Sequence, residues 1–198
     1  MIDLPLKVKA TGHKCVPASV TMVCAYWRKN RPDLDWKLPE DINNAEWQEF
    51  YNKGLKYVGT SGMPFVSVDK YLKTLHVPLK PRLQHLSNTH QLMNFVNALV
   101  PPIVFYNQDF ALKGEKGIGH AVVVLDKTVE NFVTADSSLL PKCIHQVPIK
   151  DFEEAWKLEQ NSVIIISPKS ISYSWTKIPS TTLEMYYNMG EPAHETYN

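Results

Sequence analysis

Three residues of this chain could together make a sulfur nucleophile: Cys15, His120 and Asp136. A free thiol is only about a few per cent thiolate near neutral pH, so a cysteine that attacks carbonyls needs help. Helix-end N–H groups and the macrodipole favour negative charge at a helix N-terminus. A neighbouring imidazolium favours it further. A carboxylate beyond the imidazole fixes its tautomer and orientation. Cys15 opens the run Cys15-Val16-Pro17-Ala18-Ser19-Val20, His120 opens Gly119-His120-Ala121-Val122-Val123-Val124-Leu125, and Asp136 ends Asn131-Phe132-Val133-Thr134-Ala135-Asp136. Asp136 also precedes Ser137-Ser138 and could simply form a turn.

The elements that would position these residues can be read from pattern. A helix is expected from Cys15 to about Arg28. Pro17 suits its first turn, and Val16, Val20, Val23, Cys24 and Trp27 share one face. Further helices are expected over 40–54, 67–75 and 88–99. A short stretch around 79–83 contains Pro81 and can be an edge strand at most. Strands follow at 102–106, 120–126, 130–136, 143–149 and 162–167, with helical turns at 151–156. The strands at 120–126 and 130–136 read as a hairpin, which brings His120 and Asp136 to one end. Residues 107–118 read as a polar loop. Helices first and antiparallel strands after make an α+β pattern, with the thiol on a helix, the imidazole on a strand and a cleft between them.

The chain has 198 residues, 44% hydrophobic and 21% charged, enough for one domain with a substantial core. Twenty-one basic against twenty acidic residues leave no net field for nucleic acid or an anionic membrane. The N-terminus lacks a signal-peptide pattern, and the longest apolar run falls far short of the ~20 residues of a membrane span. A soluble, cytoplasmic protein is expected. Residues 1–168 should form the domain. Residues 169–198, rich in large side chains, should be an extension that packs on it or stays mobile.

Other chemistry is thinly represented. No phosphate loop, dinucleotide fingerprint or serine-hydrolase elbow occurs. Cys24 falls on the core face of the first helix and reads as packing. Cys143 and His145 are one pair, not a metal site, and no cofactor or metal is expected. His13, two residues before Cys15, reads as a cleft-edge residue.

Taken in order, these segments resemble the papain-like cysteine peptidases, closest to the bacteriocin-processing (double-glycine leader) peptidase-like family. The markers are Cys15-Val16-Pro17-Ala18-Ser19 with Met22 and Tyr26-Trp27, then Pro102-Ile103-Val104, Gly119-His120-Ala121-Val122-Val123-Val124, Val133-Thr134-Ala135-Asp136-Ser137 and Phe152-Glu153-Glu154-Ala155-Trp156. The resemblance implies a papain-like fold and a peptide or protein substrate. It also implies Cys15 as nucleophile, His120 as general base and acid, and Asp136 as orienter. It further implies an oxyanion hole built from the Cys15 N–H and a side chain six positions upstream. The family has glutamine there and this chain has Lys9, so Lys9 and His13 are the candidate donors. Val16 stands where relatives commonly have glycine. A cysteine-dependent hydrolase, most simply a peptidase, is the expected function. The alternatives are an acyltransferase using the same thioester and a weak or inactive peptide-binding module. Oligomeric state is left open.

Overall fold

A computed structural model describes residues 1–5, 8–38, 44–114, 117, 119–139 and 143–169. The first helix, α1 (Cys15–Asn30), is buried on every side from Cys15 to Trp27, not along one stripe. It runs through the centre of the molecule, against the sheet on one side and α2 (Asn44–Leu55) on the other. An all-round apolar helix is what a core position requires. Its buried Ser19 and Thr21 hydroxyls are satisfied. Ser19 Oγ donates to the Ala121 carbonyl at 3.3 Å, and Thr21 Oγ1 donates to the Pro17 carbonyl at 2.7 Å. The first of these ties the helix bearing Cys15 to the residue after His120. At the far end Trp27 Nε1 donates to the Ile166 carbonyl at 2.7 Å.

The remaining elements are α3 (Phe65–Thr74), β1 (Leu79–His85), α4 (Thr89–Asn97), β2 (Pro102–Asn107), α5 (Gln108–Lys113), β3 (Gly119–Lys127), β4 (Asn131–Ala135), a 3-10 turn at Ser137–Leu139, β5 (Ile144–Pro148), α6 (Ile149–Leu158) and β6 (Ser162–Pro168). The six strands form one sheet in the order β1-β6-β2-β3-β4-β5, and every pairing is antiparallel. The sheet therefore draws one strand, β1, from the helical half of the chain. It lies at the edge and pairs with β6 alone, where Pro81 is tolerated. The architecture is α+β, with the core formed between sheet and helices.

The β3–β4 hairpin expected from the alternating runs is present. Val123 pairs with Ala135 and Val124 with Thr134, and the register then shifts by one residue. The polar stretch after β2 is more ordered than its composition indicates. Asn107 caps α5 within it, accepting from Phe110 N at 3.2 Å. The second helix is described over Asn44–Leu55, and residues 39–43, where its expected start falls, lie outside the described part. The expected C-terminal extension likewise lies outside it from residue 170 onward. No described helix is long and apolar enough to cross a membrane.

Candidate active site

Cys15 is the first residue of α1, so its N–H lies ahead of the helix's own hydrogen-bond ladder. Gly12, at φ 61, turns the lead-in toward the helix mouth. Pro17 removes one N–H from the first turn, where it would lack a partner in any case. His120 is the second residue of β3 and pairs with Tyr106 of β2. Its ring lies 6.3 Å from the Tyr106 ring, which in turn stacks on Phe152 of α6 at 6.0 Å. The imidazole thus has a rigid aromatic support on one side.

His120 Nε2 and Asp136 Oδ1 lie 2.8 Å apart. With Nε2 taken by the carboxylate, Nδ1 is left to face the Cys15 thiol, which lines the same cleft as His120. Asp136 is fully buried. Its Oδ1 also accepts from Ser138 N at 2.8 Å and from Ser138 Oγ at 2.7 Å, and its Oδ2 accepts from Gln108 Nε2 at 2.9 Å. The turn role and the orienting role proposed for Asp136 are therefore not alternatives. One carboxylate forms the Asx turn and holds the histidine.

The electrostatics follow from this geometry. Burial pushes the Cys15 thiol up, but the His120 hydrogen bond and charge, with the N–H groups of Ala121 and Val16, outweigh it and hold the thiol below its ordinary value. Burial alone would lower His120, yet Asp136 and Cys15 raise it to about 9. Burial would raise Asp136, and His120 with Ser138 hold it below the usual carboxylate range. A thiolate and an imidazolium are mutually favoured. Cys24 is the contrast. It is fully buried with no such partner, and burial pushes its thiol upward.

A cleft of about 420 Å³ opens over these groups. Cys15, Val16, His13 and Gly12 form one wall, Gly62 and Met63 another, and Phe105, Gln108, Gly119, His120 and Glu159 the third. Gly62 has φ 107, a conformation reserved for glycine, and its bridge with Gly59 closes a tight loop at the rim. His13 is exposed and lines the cleft. Lys9 is exposed and is not among the lining residues. Cys143 is buried, and its carbonyl accepts from Asp136 N at 2.7 Å. Among the described residues, no group of three His, Cys, Asp or Glu side chains could hold a metal ion.

Gln108 and Ser138 were missed as site residues in the sequence. Gln108 falls in a stretch whose polarity reads as loop, although Asn107 before it is a helix-capping signal. Ser138 is visible only as the companion of a turn-forming Asp.

The structure is similar to that of a protein described as a C39-like peptidase from Bacillus anthracis, with a TM-score of 0.61 and 14% identity over 86% of this chain and 98% of that one. It is also similar to a double glycine motif protease from an AMS/PCAT transporter in complex with the leader peptide, with a TM-score of 0.52 and 17% identity over 85% and 94%. At such identities the likeness shows a shared fold. No curated protein matches the chain. The sequence profile of the Peptidase C39-like family, however, matches residues 1–164. That span runs from the lead-in into β6 and includes every element that builds the cleft, so the chain belongs to the Peptidase C39-like family, with a papain-like α+β fold.

Proposed function

We propose that the chain is a cysteine peptidase that cleaves a peptide amide through a thioester on Cys15. The observation that carries this reading is that Cys15 and His120 line one cleft, with His120 bonded to the buried carboxylate of Asp136. His120 Nδ1 takes the thiol proton, and the thiolate attacks the scissile carbonyl carbon. The carbonyl electron pair moves to oxygen, giving a tetrahedral oxyanion. Its collapse breaks the C–N bond as Nδ1–H protonates the leaving amine. Water then enters, gives a proton to Nδ1 and attacks the thioester, and the thiolate leaves. Asp136 keeps the proton on Nε2 throughout and holds the ring plane.

The Cys15 N–H is one oxyanion donor by its place at the helix mouth. His13, on the cleft wall, is the second candidate, and Lys9 is the third. A peptide substrate is supported by the fold neighbour whose structure holds a leader peptide. The exposed position of Lys9, outside the cleft lining, favours a second reading, a peptide-binding module with little catalysis. Loss of one oxyanion donor costs ~10²–10³ in kcat, so a weak enzyme and a binder lie close together.

Two measurements separate them. Iodoacetamide should label Cys15 well before Cys24 and Cys143, and Cys15→Ala and His120→Ala should abolish peptide hydrolysis. Equal labelling of all three thiols, or unchanged biological activity of Cys15→Ala, would overturn the peptidase reading.

A further inference from the structure

We propose that Gln108 is a positioning residue of this site, holding the Asp136 carboxylate in the orientation that presents Oδ1 to His120. The inference rests on the cysteine peptidase reading and adds a residue to it. The two oxygens of Asp136 are held differently. Oδ1 accepts from His120 and from both the N–H and the hydroxyl of Ser138. Oδ2 accepts from Gln108 Nε2 alone among the described residues, at 2.9 Å. A buried, ionised oxygen with no donor is costly, and turning the carboxylate to find one would take Oδ1 off His120. The Gln108 amide supplies that donor to the fully buried carboxylate and so keeps Oδ1 on His120. The second amide proton is directed at Ser138 Oγ, 3.4 Å away, which links the two clamps.

Gln108 is itself fixed by its neighbours. Asn107, fully buried at the end of β2, caps α5 and binds both sides of Gly117: its Oδ1 accepts from Gly117 N and its Nδ2 donates to the Gly117 carbonyl, each at 2.9 Å. A Cβ on Gly117 would fall on the Asp109 side chain, 2.6 Å from its Cβ, so a larger residue there would have to displace Asp109. The strand that pairs with β3 thus ends in a braced turn whose next residue reaches Asp136. Gln108 also lines the cleft, so the wall of the substrate site and the support of the histidine are one side chain.

The test is the pH dependence of Cys15 alkylation by iodoacetamide in the full chain, read peptide by peptide, for the parent, Gln108→Leu and Gln108→Glu. A donor to the ionised form lowers a carboxyl pKa, so its loss raises the Asp136 pKa. In Gln108→Leu the acid limb of Cys15 reactivity should move toward neutral pH. The rate at mildly acidic pH should fall by about tenfold, with no change at alkaline pH where the thiolate forms regardless. In Gln108→Glu the carboxyl donates to Oδ2 only while it is protonated, so the acid limb should return toward the parent's position at acidic pH and depart from it as the glutamate ionises. Superimposable profiles for parent and Leu variant overturn the inference. So does an equal loss at every pH in both variants, the mark of a packing role. If Cys15 in the parent reacts no faster than Cys24 and Cys143, it is the peptidase reading that fails, a separate result.

Discussion

Ser138 donates its N–H and its hydroxyl to the same Asp136 oxygen that faces His120, at 2.8 and 2.7 Å. The turn that ends β4 is therefore part of the electrostatics of the site. Removing the hydroxyl in Ser138→Ala keeps the N–H bond. Ser138 is exposed, so water can replace part of what is lost, and the cost to stability should be about 1 kcal/mol. The sign with pH is definite. Asp136 is held below its ordinary value, so its contribution is present above the ordinary carboxylate range and lost as pH falls through the folded-state value. In Ser138→Ala that loss should begin at higher pH, as read by urea denaturation across an acid series.

His120 works in the opposite direction. Its pKa is raised from 6.5 to about 9, so the pair's contribution is complete below 6.5 and is lost as pH rises through about 9. Urea midpoints of the parent should fall over that window. In His120→Gln the fall should be absent, on a background about 3 kcal/mol less stable because the buried Asp136 has lost its partner. Peptide hydrolysis should decline over the same alkaline window, as the proton needed by the leaving amine is lost.

Gly54 of α2 is where the helix that carries the cysteine meets its support. A Cβ there would lie 2.7 Å from Tyr71 Cζ and 3.0 Å from Pro17 Cβ. Tyr71 is fully buried and its hydroxyl donates to the Phe50 carbonyl at 2.7 Å, so it cannot yield easily. Gly54→Ala gains helix propensity but overpacks the contact, for a net loss of about 1–2 kcal/mol. Pro17 is two residues from Cys15, so the alkylation rate of Cys15 should fall with it. A more stable variant with unchanged Cys15 reactivity would show that the contact relaxes freely.

Lys9→Gln places the family's amide at the position six residues before the cysteine. If that position supplies the oxyanion donor, kcat for peptide hydrolysis should rise by about tenfold or more, with KM little changed. His13→Ala tests the other candidate. A fall in kcat there, with no gain from Lys9→Gln, would assign the second donor to His13.

The hairpin that brings His120 near Asp136 was legible because alternating apolar runs with a short turn have few other solutions. The helix at Cys15 was legible from Pro17 and the apolar spacing. The depth of that helix was not. Its one-face pattern also fits a surface helix, and only the packing of sheet, α2 and α3 around it explains why Ser19 and Thr21 are buried and bonded. Gln108 was hidden because its role depends on a carboxylate 28 positions away.

A thiol at a helix start, an imidazole and a carboxylate are set by residue type and local pattern, so the groups that could do chemistry are legible in one dimension. How those groups are charged is set by the fold. The ionisation of Cys15, His120 and Asp136 depends on burial and on hydrogen bonds between residues distant in the chain, and such interactions vary steeply with distance. Local pattern carries no information on that scale. The Ser138 bonds to Asp136 are a local turn, but the Gln108 bond exists only once β2, β3 and β4 lie side by side.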